Sequence, residues 1–336
     1  MNTREWLDAL RDSPVKKAMP VLSFPSTSLL GITVKELIDS SEKQAEGMRL
    51  VAERTDAAAS VSMMDLSVEA EAFGAEIRIS DDEVPTVIGA IVQSEEEAEA
   101  LAVPPVGAGR TGRYIEAIGL ACRRITDRPV FAGVIGPFSL AGRLMGVSDA
   151  LANCYDEPDM VHITMKKATE FLTSYILAYK QNTGAAGVVM AEPLTGLLSP
   201  GLAEEFSEPY VREIVEAVQD DNFLVIYHNC GDNTIPMIDS ILRTGAAAYH
   251  FGNSISMADI LTHIPSGVVA MGNVDPASQF RNGTPASIRE ETLRIMGECC
   301  QYPNFVISSG CDIPPASSWE NIDAFFAAVD EFYSKA

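Results

Sequence analysis

The 336-residue sequence has no run of 18 or more apolar residues, which excludes a hydrophobic membrane-spanning helix. Basic side chains are few, 24 Lys and Arg against 47 Asp and Glu, and the net charge is −23. Nucleic acid and anionic membrane surfaces are poor partners for such a chain, because affinity for phosphates needs Lys and Arg to displace counterions. Six cysteines are too few for a disulfide scaffold, so each thiol is expected to be buried, metal-bound or catalytic. The opening MNTREWLDALRDS is charged where a signal peptide would be apolar, and a cytoplasmic protein is expected. No G-x-G-x-x-G follows the first apolar segment, and no internal repeat or low-complexity linker is visible. What is present is apolar: 47% of residues are hydrophobic, enough for a large core.

Eight β-branched, near-continuous apolar segments read as strands: Val21–Pro25, Ala57–Met64, Val130–Gly136, Gly187–Glu192, Phe223–His228, Ala246–Phe251, Val268–Gly272 and Phe305–Ser309. Continuous runs of this kind mark parallel strands covered on both faces. Helical patterns lie between most of them. Ser199-Pro200 pairs an N-cap with proline at the first helical position, and Thr33 to Glu36 and Ser317 to Glu320 fit capping boxes. Strands alternating with helices predict an α/β fold, a (β/α)₈ TIM barrel in one domain over residues 1–336, with a helical extension over 1–19. An open doubly wound sheet is the second option. The interval 65–129 is too long for one connection. A hairpin (Glu76–Ile79 with Val87–Ile91) and an acidic helix (Ser94–Ala100) are expected in it, as an elaboration over the barrel mouth.

Catalytic groups of such barrels sit at the C-terminal ends of the strands. The fifth predicted strand ends Tyr227-His228-Asn229-Cys230-Gly231 and the eighth ends Ser308-Ser309-Gly310-Cys311-Asp312. His228 and Cys230, two apart on an extended chain, point to the same side. Cys311, three strands around the barrel, can complete a Cys₂His set, and three ligands leave tetrahedral zinc one open position. Two thiolates neutralise a divalent ion, which favours an electron-rich bound thiolate over an acidified water. Asp65 and Glu192, also at strand ends, are candidate catalytic residues that hold a proton, bind substrate or fill the open metal position. Glu69 and Glu71 are expected to face solvent and Cys122, Cys154, Cys299 and Cys300 to be structural, and His162, His250 and His263 have no comparable context.

His228-Asn229-Cys230-Gly231, Gly272-Asn273-Val274-Asp275-Pro276 and Ser309-Gly310-Cys311-Asp312-Ile313-Pro314-Pro315, with Asp65 to Gly74 and Gly136-Pro137-Phe138, resemble the corrinoid-dependent methyltransferases of the uroporphyrinogen decarboxylase superfamily. The similarity runs from about Pro20 to Phe332, and the sequence resembles methylcobalamin:coenzyme M methyltransferases within that group. It implies a barrel, zinc on His228, Cys230 and Cys311, and methyl transfer from methyl-cob(III)alamin to a zinc-bound thiolate. The methyl acceptor stays open among coenzyme M, another thiol and a folate-type compound. Decarboxylases of the superfamily carry an arginine-rich loop after the first strand, whereas Phe24 to Gly31 contains no arginine here; Asp65 matches the decarboxylase aspartate. A decarboxylase and a non-catalytic corrinoid- or metal-binding barrel are the alternatives. Corrinoid carriers of this kind resemble one another in a D-x-H-x-x-G motif that none of the four histidines fits, which implies a methylated corrinoid protein as transient partner.

Overall fold

The computed structural model describes residues 2–335. Seven parallel strands form one curled sheet: β1 (Ser60–Val61), β4 (Val130–Ile135), β5 (Gly187–Ala191), β6 (Leu224–Asn229), β7 (Ala248–Phe251), β8 (Val269–Val274) and β9 (Phe305–Ser309), neighbours in that order. Between β1 and β4 an antiparallel hairpin, β2 (Glu76–Arg78) and β3 (Thr86–Ile88), stands apart from the sheet. The apolar runs are buried along their whole length in β5, β6 and β9, as two-sided coverage demands. Helices pack on the outer face. The 25-residue helix Pro158–Asn182 contributes Phe171, Tyr175 and Tyr179 to the layer between helices and sheet. No helix among the described residues is long and apolar enough to cross a membrane.

One expectation needs correction. Val21–Pro25 forms no strand: Phe24 and Pro25 enter a turn that leads into the helix Ser26–Leu30. The preceding residues nevertheless touch both edges of the sheet, since Met19 N–H donates to Ile307 O (3.0 Å) and Ala58 N–H to Ala18 O (2.8 Å). Two further places in a possible ladder are taken by hydroxyls, Ser308 Oγ donating to Met19 O (2.7 Å) and Ser309 Oγ accepting from Val21 N–H (3.1 Å). Side chains thus replace the backbone pairs that would make this segment an eighth strand.

The inward face of the sheet carries a second core of Phe131, Val189, Ile226, Met271 and Val306. Helix Thr3–Asp12 seals it at the N-terminal end with Leu7 and Leu10, and Trp6 packs against Phe131 (ring centroids 5.6 Å). That helix is anchored by Thr3 Oγ1 to Asn222 O (2.8 Å), just before β6. The opposite, C-terminal end is thereby left for polar chemistry. Local capping follows the sequence: Thr33 and Glu36 form a reciprocal capping box, and Ser199 Oγ accepts from Leu202 N–H (3.4 Å) ahead of Pro200. At the last helix, Trp319–Lys335, the cap is shifted by one residue. Ser318, not Ser317, accepts from Asn321 N–H (3.2 Å).

Candidate metal centre

Strand β6 delivers His228 and, one residue past its end, Cys230; Cys311 follows β9 by two residues. A ring nitrogen of His228 and the two sulfurs lie within 4.8 Å of one another, and among the described residues these three alone form such a donor cluster. His228 Nδ1 is engaged by His250, 2.7 Å from its Nδ1 and 3.3 Å from its backbone oxygen. Nε2 of His228 is buried and has no partner. An orphaned buried nitrogen is costly unless something binds it. Space for Cys230 depends on Gly252, just past β7, where a Cβ would lie 2.4 Å from the Cys230 Cβ.

A hydrogen bond between the two thiols lowers the Cys230 pKa and raises that of Cys311, which burial pushes up further, against the opposing effect of His228, to about 12. Cys230 is thus the first of the bare pair to lose its proton, and Cys311 resists a second negative charge beside it. A divalent cation removes that conflict by supplying charge for both sulfurs. Donor types, distances and the orphaned nitrogen all fit a Cys₂His zinc site with one open position.

The two carboxylates expected to be catalytic are each held by several hydrogen-bond donors. Asp65 is buried: its Oδ1 accepts from Ser67 N–H (3.2 Å) and Ser67 Oγ (2.6 Å), and its Oδ2 accepts from Tyr114 Oη (2.6 Å) and from Arg110 Nη1. Arg110 is itself 4% exposed and also donates to Glu71 (2.7 Å). Burial works against its charge, but Asp65, Tyr114 and Glu71 hold its pKa above the usual value. Glu192 accepts from Phe138 N–H (2.8 Å), Ser139 N–H (2.9 Å), Ser139 Oγ (2.6 Å) and Thr195 Oγ1 (3.2 Å). It thus sits on the N-terminus of helix Pro137–Met145, where backbone N–H groups and the helix dipole favour an anion. Burial raises its pKa against those hydrogen bonds. Gly136 makes the approach possible, since a Cβ there would lie 2.2 Å from Glu192 Cγ.

Sequence reasoning missed four groups here. Glu69, expected to face solvent, is 2% exposed: Oε1 accepts from Ile135 N–H (3.0 Å) and Oε2 has no partner. Glu71 is half-buried against Arg110. Asp312, beside Cys311, is a third: its Oδ2 accepts from Met64 N–H (2.7 Å), and burial holds its pKa well above the usual carboxylate value. His250, which has no comparable context in the sequence, is the residue in contact with His228. Its place two residues after Ala248 on an inward-facing alternation was the available signal. Cys122, Cys154 and Cys299 do lie on helices, at Thr111–Arg124, Val147–Asp156 and Pro285–Cys299.

Burial raises the Glu69 pKa from 4.5 to about 7. A carboxyl with a raised folded-state pKa is protonated in the fold while the unfolded chain ionises. Its stabilising contribution is complete below pH 4.5 and is lost as the pH rises to about 7. Wild-type stability should therefore decline across this window by about 3 kcal/mol relative to Glu69→Gln, which cannot ionise. Urea midpoints from pH 4.5 to 7.5 check this; parallel profiles for the two proteins would disprove it.

A curled parallel α/β sheet with a Cys₂His cluster at its C-terminal end defines the class of the protein. The model of the uroporphyrinogen decarboxylase family matches residues 11–332, and the chain belongs to that family. It is 27% identical over 320 residues, 91% of this chain and 90% of the relative, to methylcobamide:CoM methyltransferase MtbA of Methanosarcina acetivorans. A uroporphyrinogen decarboxylase of Alcanivorax borkumensis is 25% identical over 295 residues, covering 84% and 81%. Among solved structures, a methyltransferase from Methanosarcina mazei superposes with a TM-score of 0.86 at 25% identity, covering 99% of each chain.

Proposed function

We propose that this chain is a cytoplasmic, zinc-dependent methyltransferase that moves a methyl group from a methylated corrinoid, delivered on a partner protein, to a thiol such as coenzyme M. The observation that carries this reading is the Cys₂His cluster, with His228 buried and its Nε2 unpartnered and both cysteines half-buried, in a family with methylcobamide:CoM methyltransferases among this chain's relatives. In this reading residues 1–336 form one (β/α)₈-type barrel domain, and the segment 65–129 covers part of its mouth, where a corrinoid protein docks transiently.

His228, Cys230 and Cys311 would hold the zinc. When bound, zinc supplies a Lewis acid that favours the thiolate form of an incoming thiol at neutral pH. Cys230 and Cys311 set the net charge of the site near zero, which keeps a thiol nucleophilic. Asp65 and Glu192, whose oxygens already accept from Ser67, Tyr114, Arg110, Phe138, Ser139 and Thr195, are assigned positioning roles rather than proton transfer. Asp65 fixes the turn after β1, and Glu192 fixes the helix after β4 against the end of β5. The loop Phe24 to Gly31, without arginine, weighs against a polycarboxylate porphyrinogen as substrate.

The test is loss of methyl–cobalt absorbance with coenzyme M as acceptor, comparing a methylated corrinoid protein with free methylcobalamin at equal cobalt. The carrier-bound donor should give the higher kcat/KM, and no turnover with either donor would refute the reading. Calorimetry in buffers of different ionisation enthalpy should count close to one proton released per thiol bound to the zinc-loaded protein. Thiol binding without proton release would exclude activation of the thiol by the metal.

A further inference from the structure

The contacts of His228 continue away from the thiols, across the inward face of the sheet. Its partner His250 stands directly opposite it in the parallel register of β6 and β7. His250 Nε2 lies 2.7 Å from Ser308 Oγ, and Ser308 Oγ donates to Met19 O at 2.7 Å. All three side chains are buried: His228 and His250 at 2% exposure, Ser308 fully. Inward-facing Ile226, Ala248 and Val306 lie two residues before them on the same strands, so all three belong to one inward layer.

Direction along this chain is set from its far end. A carbonyl oxygen only accepts, so the single hydroxyl proton of Ser308 must point at Met19 O. Ser308 Oγ then turns a lone pair toward His250, whose Nε2 must carry a proton. Neither ring nitrogen of His250 faces a carboxylate, and a buried imidazolium with no acidic partner is costly, so the ring is neutral and Nδ1 is bare. A bare Nδ1 at 2.7 Å from His228 Nδ1 requires the proton to sit on His228 Nδ1, from which His250 O at 3.3 Å also accepts. One proton on Nδ1 leaves His228 Nε2 as a lone pair, and this is the nitrogen without a partner.

We propose that His250 and Ser308 are positioning residues that set the His228 tautomer, using the Met19 carbonyl as a fixed reference, and so hold Nε2 ready to bind a metal. The proposal deepens the zinc reading of the same site and rests on it for its consequence, though not for the tautomer itself. Metal-binding histidines depend on such outer contacts, whose loss weakens metal affinity by about 10–100-fold.

The experiment uses the full chain, with nitrogen-15 in its histidines. In the metal-free wild type, two-dimensional proton–nitrogen spectra should show His228 as the Nδ1–H tautomer and His250 as Nε2–H. Zinc affinity, measured by competition with a chromogenic chelator, should fall about 10–100-fold in His250→Leu. His250→Gln, whose amide both accepts and donates, should restore most of it. Ser308→Ala should mix the two His228 tautomers while the fold persists, and it serves if His250→Leu does not fold. An Nε2–H tautomer of His228 in the wild type would overturn the proposal, as would unchanged zinc affinity in His250→Leu. If the wild type binds no zinc yet shows the Nδ1–H tautomer, and Ser308→Ala disturbs it, the relay stands and the zinc reading falls.

Discussion

Cys311→Ala is expected to abolish methyl transfer and to empty the zinc site, while the protein keeps its fold. The residue is one of three donors held within 4.8 Å, and two ligands from the end of β6 cannot enclose a tetrahedral ion. The loss of affinity should exceed the roughly 10–100-fold that removal of an outer contact costs. The fold should persist because the inner core of Phe131, Val189, Ile226 and Val306 lies on the strands below Cys311, closed from the other end by Leu7 and Leu10. Zinc content by atomic emission, with circular dichroism on the same sample, decides the matter. Full zinc occupancy in the variant would remove Cys311 from the ligand set, and an unfolded metal-free protein would make the site structural.

Asp65→Ala should act in the opposite way, on stability first. Its removal strands the guanidinium of Arg110, 4% exposed, with only Glu71 and Ser67 as polar partners besides Tyr114. Breaking one side of a buried ion pair costs about 3–5 kcal/mol, because the remaining charge stays in a poorly solvated place. Removing both charges, as in Asp65→Ala with Arg110→Met, should recover most of that loss, since the desolvated charge disappears with its partner. Urea unfolding of the two single variants and the pair measures the coupling; additive effects would show that the pair is not energetically linked. Activity at a temperature where the variants are folded separates the roles. A positioning role leaves turnover within a small factor of wild type, whereas a proton-transfer role removes it at any temperature.

The sequence by itself determined seven of the eight predicted strand segments and which strand ends carry the candidate metal donors. Continuous apolar runs such as Gly187–Ala191 and Leu224–Asn229 exclude water from both faces, and only a parallel sheet covered by helices accommodates that. His228 and Cys230 were legible for the same local reason, a two-residue period that turns both side chains to one side. Tertiary structure alone decided the rest, because the deciding partners are distant in the chain. The predicted strand Val21–Pro25 does not form; at its start Ser308 and Ser309, nearly 290 residues away, supply hydroxyls to Met19 and Val21 where backbone partners would be. Glu69 and Glu71 lie in one five-residue helix, Val68–Ala72, too short for its pattern to show which face is covered. One is buried against Ile135 and the other pairs with Arg110. The alternation after Ala248 turns His250 inward but names no partner for it. Only the register of β6 against β7 sets it beside His228, and register follows from how the whole sheet closes its core.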